Sequence, residues 1–322
     1  MKQIRSRLKP YLRWLVIGMA LFFLTKAFKD RAAEIAAIRI SSAGWVNLAI
    51  ATGVTVLAHI WSGWVWSWVL RELHQPVDGF WSTRIYLKTN IAKYLPGNVW
   101  HFYGRIKAAT EIGVSAGVAT LSVVLESLLM ASAALSIALI STQLIETLPL
   151  LYRCWQLIGL VGVSIAVHPG ILNPLIQVAS RLKAKAKGFV ADDTSNFLIQ
   201  RYPLLPLLGE IGFVSLRGVG FLFTWLALIQ IYPSQILPLL GVFSAAWLLG
   251  FILPGLPGGI GIFEATAIAL LKSSFSNDAI PQILAVIALY RLVSILAEAQ
   301  GAALVWLYEK FCDRYYPNDR PF

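Results

Sequence analysis

The run GVGFLFTWLALIQIYPSQILPLLGVFSAAWLLGFILPGLPGGIGIF, residues 218–263, carries no acidic, basic or histidine side chain. A bilayer hydrocarbon core roughly 30 Å thick takes about 20 apolar residues in helix, so this run is long enough for two spans. Turn residues divide it. Tyr232-Pro233-Ser234 interrupts it once and Pro254-Gly255-Leu256-Pro257-Gly258-Gly259 again, because proline stops a helix and glycine permits a sharp turn. Outward from there, Ile40 to Leu70, Ser127 to Ile145 and Trp155 to Ser180 lack Asp, Glu, Lys and Arg altogether. With Tyr11 to Thr25, Leu204 to Gln230, Ile260 to Leu271 and Ile283 to Trp306 they make about eight hydrophobic elements. The expected fold is an all-α polytopic membrane bundle forming a single domain over residues 1–322. The element after Gly259 is short for a crossing, so a broken or re-entrant helix is expected there.

Composition agrees. The chain is 57% hydrophobic and 13% charged, where soluble domains carry about a quarter charged residues, which excludes a typical soluble enzyme. The net charge of +11 does not argue for nucleic acid, since the basic residues cluster between apolar runs instead of forming one face. They read as orientation signals and lipid-headgroup contacts. Lys2, Arg5, Arg7, Lys9 and Arg13 precede the first apolar stretch, and Lys26, Lys29 and Arg31 follow where a signal peptide would have small residues, so a retained first helix is expected. The positive-inside rule puts the N-terminus and the segment with Arg181, Lys183, Lys185, Lys187 and Arg201 in the cytoplasm, and the Gln143 to Pro149 turn outside, in a plasma (inner) membrane. The loop with Lys26, Lys29, Arg31 and Arg39 then faces outside, against the rule. Trp45, Trp61, Trp64 and Trp68 read as interfacial or interhelical residues. Phe80 to Tyr94 mixes apolar residues with Arg84, Lys88 and Lys93, as a helix in the headgroup layer or a connecting helix would.

The chain also resembles itself. Leu95-Pro96-Gly97-Asn98-Val99 is followed by Arg105 and then an apolar helix with Glu126; Leu256-Pro257-Gly258-Gly259-Ile260 is followed by Glu264 and then one with Arg291. The offset of roughly 160 residues is what a two-repeat transporter requires. This predicts a first repeat over residues 43–147, a connecting span and basic segment over 148–203, and a second repeat over 204–307. Because base precedes acid in one copy and acid precedes base in the other, the expected partners are Arg105 with Glu264 and Glu126 with Arg291. A charge inserted in the bilayer costs on the order of 2.5 to 3.5 kcal/mol, so partners or water access are needed. Glu210 with Arg217, and Arg291 with Glu298, stand seven residues apart, about two helical turns, and share inward faces. Interrupted helices expose N–H groups that attract anions such as phosphate. Candidate binding residues are therefore Lys93, Tyr94, Pro96, Gly97, Arg105, Glu126, Glu210, Arg217, Pro257, Gly258, Gly259, Glu264, Arg291 and Glu298, with Asn98 and His101 as further donors.

On Tyr94-Leu95-Pro96-Gly97 with Arg105, Val123-Val124-Leu125-Glu126, Pro257-Gly258-Gly259-Ile260-Gly261-Ile262-Phe263-Glu264 and Leu289-Tyr290-Arg291-Leu292, the chain resembles the lysylphosphatidylglycerol synthase transmembrane region family. That family includes the flippase part of the multiple peptide resistance factor and stand-alone membrane proteins. The resemblance runs from about Ala43 to Trp306. Ser127 stands where family members commonly have arginine. The resemblance implies a membrane domain that carries or flips a lipid with a phosphate-containing headgroup, with Arg105, Glu126, Glu264 and Arg291 at the matching positions.

The expected function is a lipid translocase, passive or ion-coupled, with Glu126, Glu264 or Glu210 able to carry a proton. Its partners are membrane phospholipids, and self-association is left open. No enzyme activity is expected. The short tail from Tyr308 cannot house a synthase, the four histidines lack zinc spacing, and no nucleophile motif or Walker loop is present, so neither metal nor cofactor is implied. Two alternatives remain: an integral-membrane transferase on lipid-phosphate substrates, and a scaffold for a separate lipid-modifying enzyme.

Overall fold

Ser41 opens the first described helix by accepting a hydrogen bond from the Gly44 N–H at 3.1 Å, and α1 then runs over Ser42–Glu72. The computed structural model describes residues 40–95, 99–143, 150–174, 199–253, 261–271 and 280–315. The N-terminal hydrophobic element with its basic flanks, most of the Gln143 to Pro149 turn, the basic residues 181–187, and Pro96, Gly97, Asn98, Pro257, Gly258 and Gly259 lie outside these ranges. Among the described residues the regular elements are helical. After α1 come α2 (Gly79–Asn90), a 3-10 turn (Ile91–Tyr94), α3 (Trp100–Glu111), α4 (Ala116–Gln143), α5 (Leu150–Ala166), α6 (Leu204–Leu226), α7 (Pro233–Ile252), α8 (Ile262–Leu271) and α9 (Ile280–Tyr315).

Five of these, α1, α4, α6, α7 and α9, are long and apolar enough to cross a membrane. Two expected spans differ in extent. The Trp155 to Ser180 run is helical as α5 only to Ala166, where the chain turns at Val167-His168. In contrast, α4 begins at Ala116, well before Ser127, so Glu126 lies inside the helix. A span can hold that carboxylate because Arg105 meets it there.

Small residues set the helix contacts, as expected where close backbone approach replaces a hydrophobic drive. A Cβ on Gly209 of α6 would fall 2.6 Å from Val65 of α1, and one on Gly220 2.6 Å from the Thr55 hydroxyl. Between them the Trp61 indole donates to the Gly209 carbonyl at 2.8 Å, placing that tryptophan between helices. Likewise α4 and α7 approach closely at Gly241, where a Cβ would meet Ser141 at 2.8 Å. Asp78 caps α2 by accepting from the Trp81 N–H at 2.8 Å. With Trp81, Tyr86 and Leu87 buried, α2 packs on α1 and α9. Its Lys88 ammonium donates to both Glu309 carboxylate oxygens, at 2.7 and 2.8 Å.

Two helix pairs share a local feature. A short helix is followed by a long one and tied to it by an ion pair: α3 to α4 through Arg105 and Glu126, α8 to α9 through Glu264 and Arg291. The start of α8 depends on Gly261, whose φ of +92° is left-handed and suits glycine. Glu264 accepts from the Gly261 N–H at 2.7 Å, which closes the helix N-terminus with a carboxylate.

Candidate functional site

Where α1, α2, α3, α4, α6, α7, α8 and α9 converge, a cavity of about 590 Å³ opens. Four cationic side chains line it: Lys93 from the 3-10 turn, Arg105 from α3, Arg217 from α6 and Arg291 from α9. His59, His101, Asn90, Tyr86 and Tyr290 add polar groups, and among the described residues no Asp or Glu lines the wall. The carboxylates stand behind the cations and hold them in place.

Arg105 donates to Glu126, and its guanidinium lies 4.7 Å from the Tyr86 ring centre, 5.4 Å from Phe102 and 5.8 Å from Trp66. Aromatic faces on several sides supply cation–π attraction and fix the plane of the fork. The second cluster is built on one oxygen of Glu298. Lys93 donates to it at 2.5 Å, His59 Nε2 lies 3.4 Å away and Arg217 Nη1 3.7 Å away. Arg217 is held further by donating from Nε to the Tyr290 hydroxyl at 3.1 Å and from Nη2 to Ser294 at 3.3 Å. Tyr290 in turn is clamped edge-on by Phe221 at 5.3 Å and Phe243 at 5.5 Å. In the third cluster Arg291 makes a two-point contact to Glu264, Nε to Oε1 at 3.1 Å and Nη2 to Oε2 at 3.4 Å.

Three carboxylates thus serve four cations, with Lys93 and Arg217 sharing one. Burial pushes the Lys93 ammonium below its ordinary value, and the Glu298 charge opposes that shift. Burial, followed by the charges of Arg105 and Lys93, pushes His101 down to about 2, so it presents a neutral imidazole. Such a cavity is suited to a buried, multiply hydrogen-bonded anion. It offers no group of histidines, cysteines and acids among the described residues that could hold a metal ion.

Of the candidate residues, Lys93, Arg105, Arg217 and Arg291 meet in the cavity, and Glu126, Glu264 and Glu298 stand behind them. Tyr94 is buried, with the Lys93 ammonium 5.4 Å from its ring centre. Glu210 is fully buried, does not line the cavity, and has no hydrogen-bond partner on either carboxylate oxygen among the described residues. The crossed pairing expected from the swapped charge order is not what forms. Arg105 pairs with Glu126 and Arg291 with Glu264, because each short helix folds back onto the long helix that follows it. Sequence reasoning missed His59 and Tyr290 as partners of Arg217. The available signal was a histidine in the middle of an otherwise uncharged span, which polar residues rarely enter without a role. Comparison with protein-family models finds none that matches, and no curated protein matches the chain.

Proposed function

We propose that this protein is a membrane lipid translocase that moves a phospholipid or related phosphate-headed lipid between leaflets without hydrolysing ATP. One observation carries the reading: a cavity inside a bundle of apolar helices is lined by four cations and by no acid among the described residues. A phosphate entering it exchanges water for charge-assisted hydrogen bonds from Arg105, Arg217, Arg291 and Lys93, which are shorter and roughly twice as strong as neutral ones. The carboxylates behind keep each cation from carrying an unscreened buried charge while the cavity is empty. The family resemblance supports the same substrate class, with Arg105, Glu126, Glu264 and Arg291 at the matching positions. In this reading the two Pro-Gly elements belong to two repeats, the headgroup passes along the interface between them, and the protein resides in the plasma membrane with a cytoplasmic N-terminus.

The test is leaflet exchange of labelled anionic phospholipids in liposomes containing the purified protein. Exchange faster than in protein-free liposomes is expected, with strong slowing in Arg105→Gln and Arg291→Gln. Exchange no faster than in protein-free liposomes, for anionic and cationic phospholipids alike, overturns the proposal.

A further inference from the structure

The cavity wall and the outer surface of the bundle share residues. Val124 and Leu128 of α4 and Ile252 of α7 line the cavity, yet they are 48%, 44% and 57% exposed. A closed chamber keeps its lining inside; here the lining continues onto the exposed surface of the bundle. On α4 the shared stripe runs Thr120, Val124, Leu128, a spacing of four residues that keeps all three on one helix face. Opposite, Trp247 and Phe251 of α7 are also four apart and lie in parallel planes, with ring centres 5.2 Å apart and 7° between the rings. The two helices are tight at Gly241 against Ser141, and the cavity-lining residues of the pair lie away from that contact, at 120–131 and 247–252. The result is an apolar slot at one end of the helix pair, continuous with a chamber whose other wall carries guanidinium groups.

We propose that the slot between α4 and α7 is the chain-binding site of the transported lipid, through which its hydrocarbon chain extends sideways from the cavity into the bilayer. This rests on the translocase reading and deepens it by assigning the ligand's two chemistries to two walls. The phosphate meets the cations, and the chain lies on Thr120, Val124 and Leu128 on one side and Trp247, Phe251 and Ile252 on the other. Headgroup and chain stay joined throughout, so the lipid never leaves the hydrocarbon phase as a whole.

The experiment compares the protein with Val124→Trp and Leu128→Trp, each of which fills the slot from a half-exposed position, and with Ile140→Trp as a control on an exposed site of the same helix outside the cavity. Glycerol phosphate and a two-chain phosphatidylglycerol serve as probes, in direct binding and in leaflet exchange. Expected are unchanged glycerol phosphate binding in all variants, and about tenfold weaker lipid binding and slower exchange in the slot variants alone. Tenfold is what excluding about two chain methylenes produces. Lipid binding and exchange at the unsubstituted rates in both slot variants overturn the slot. If the unsubstituted protein moves no lipid, the translocase reading fails by itself and binding still decides the slot. Tighter binding of the lipid than of glycerol phosphate, lost in Leu128→Trp, then supports it, and equal binding of the two probes overturns it.

Discussion

Replacing Glu298 by glutamine should have opposite effects on stability and on ligand binding. Its Oε1 atom is the meeting point of Lys93, His59 and Arg217, and the side chain is fully buried. Removing one member of a buried ion pair leaves an uncompensated charge and costs about 3–5 kcal/mol. Here two cations lose their carboxylate together, so Glu298→Gln is expected in the upper part of that range. The same change removes a negative charge behind the cavity. The carboxylate lies 3.7 Å behind Arg217 Nη1, so a phosphate on the far side of that guanidinium sits about 8 Å from it. At an effective dielectric near 20 the lost repulsion is about 2 kcal/mol, or about thirtyfold in affinity. Equilibrium unfolding in detergent micelles, with and without phosphatidylglycerol, measures both quantities. Lipid at about a hundred times its Kd should restore about 2.7 kcal/mol to the variant by mass action. A double variant, Glu298→Gln with Lys93→Gln, keeps one cation fewer and should regain stability while losing the affinity gain. Destabilisation accompanied by unchanged or weaker anion binding would refute the assignment of these cations to an anion site.

Three further outcomes are expected. Because burial lowers the Lys93 pKa, its charge is present at low pH and lost on raising pH sooner than for an exposed lysine near 10.4, so anion binding should weaken as pH rises, below the ordinary lysine range, and the dependence should vanish in Lys93→Arg; titration of binding against pH checks it. Gly261→Ala places a side chain at a φ of +92° and should cost about 1–3 kcal/mol in the unfolding free energy, with anion binding reduced as Glu264 and Arg291 lose alignment. Glu210→Met should raise stability by about 1–3 kcal/mol, since both oxygens it removes are buried without a hydrogen-bond partner among the described residues; an unfolding midpoint below that of the parent chain would contradict this.

Much of the bundle was legible in the sequence because the bilayer imposes a length on apolar runs, and α1, α6, α7 and α9 overlap the runs that meet it. The uncharged run begins at Ser127, whereas the helix begins at Ala116 and takes in Glu126, which the sequence already assigns to an apolar helix. Hydropathy cannot register that a neighbouring helix supplies Arg105. The inward positions of Glu210, Arg217, Arg291 and Glu298 followed from their seven-residue spacing, and all but Arg291 are buried. Their partners did not follow. Pairing depends on how short helices fold back and on which atoms share an oxygen, and the Lys93 to Glu298 contact joins residues 205 apart in the chain. His59 is marked by standing in an uncharged span, but nothing local to Tyr290 distinguishes it, and neither residue shows its partner until Arg217 is seen between them.

That long separation also bears on biogenesis. Helices enter a membrane in the order of synthesis, and α6 arrives carrying Arg217 before Tyr290, Ser294 and Glu298 exist. Until α9 is made, the guanidinium has, among the described residues, only His59 of the partners it holds in the finished bundle, and Lys93 lacks the Glu298 carboxylate. An intermediate of that kind either keeps water around these cations or holds α6 loosely at the insertion machinery. The arrival of α9 is therefore what neutralises the earlier helices, and premature chain termination before α9 should yield a product that quality control removes.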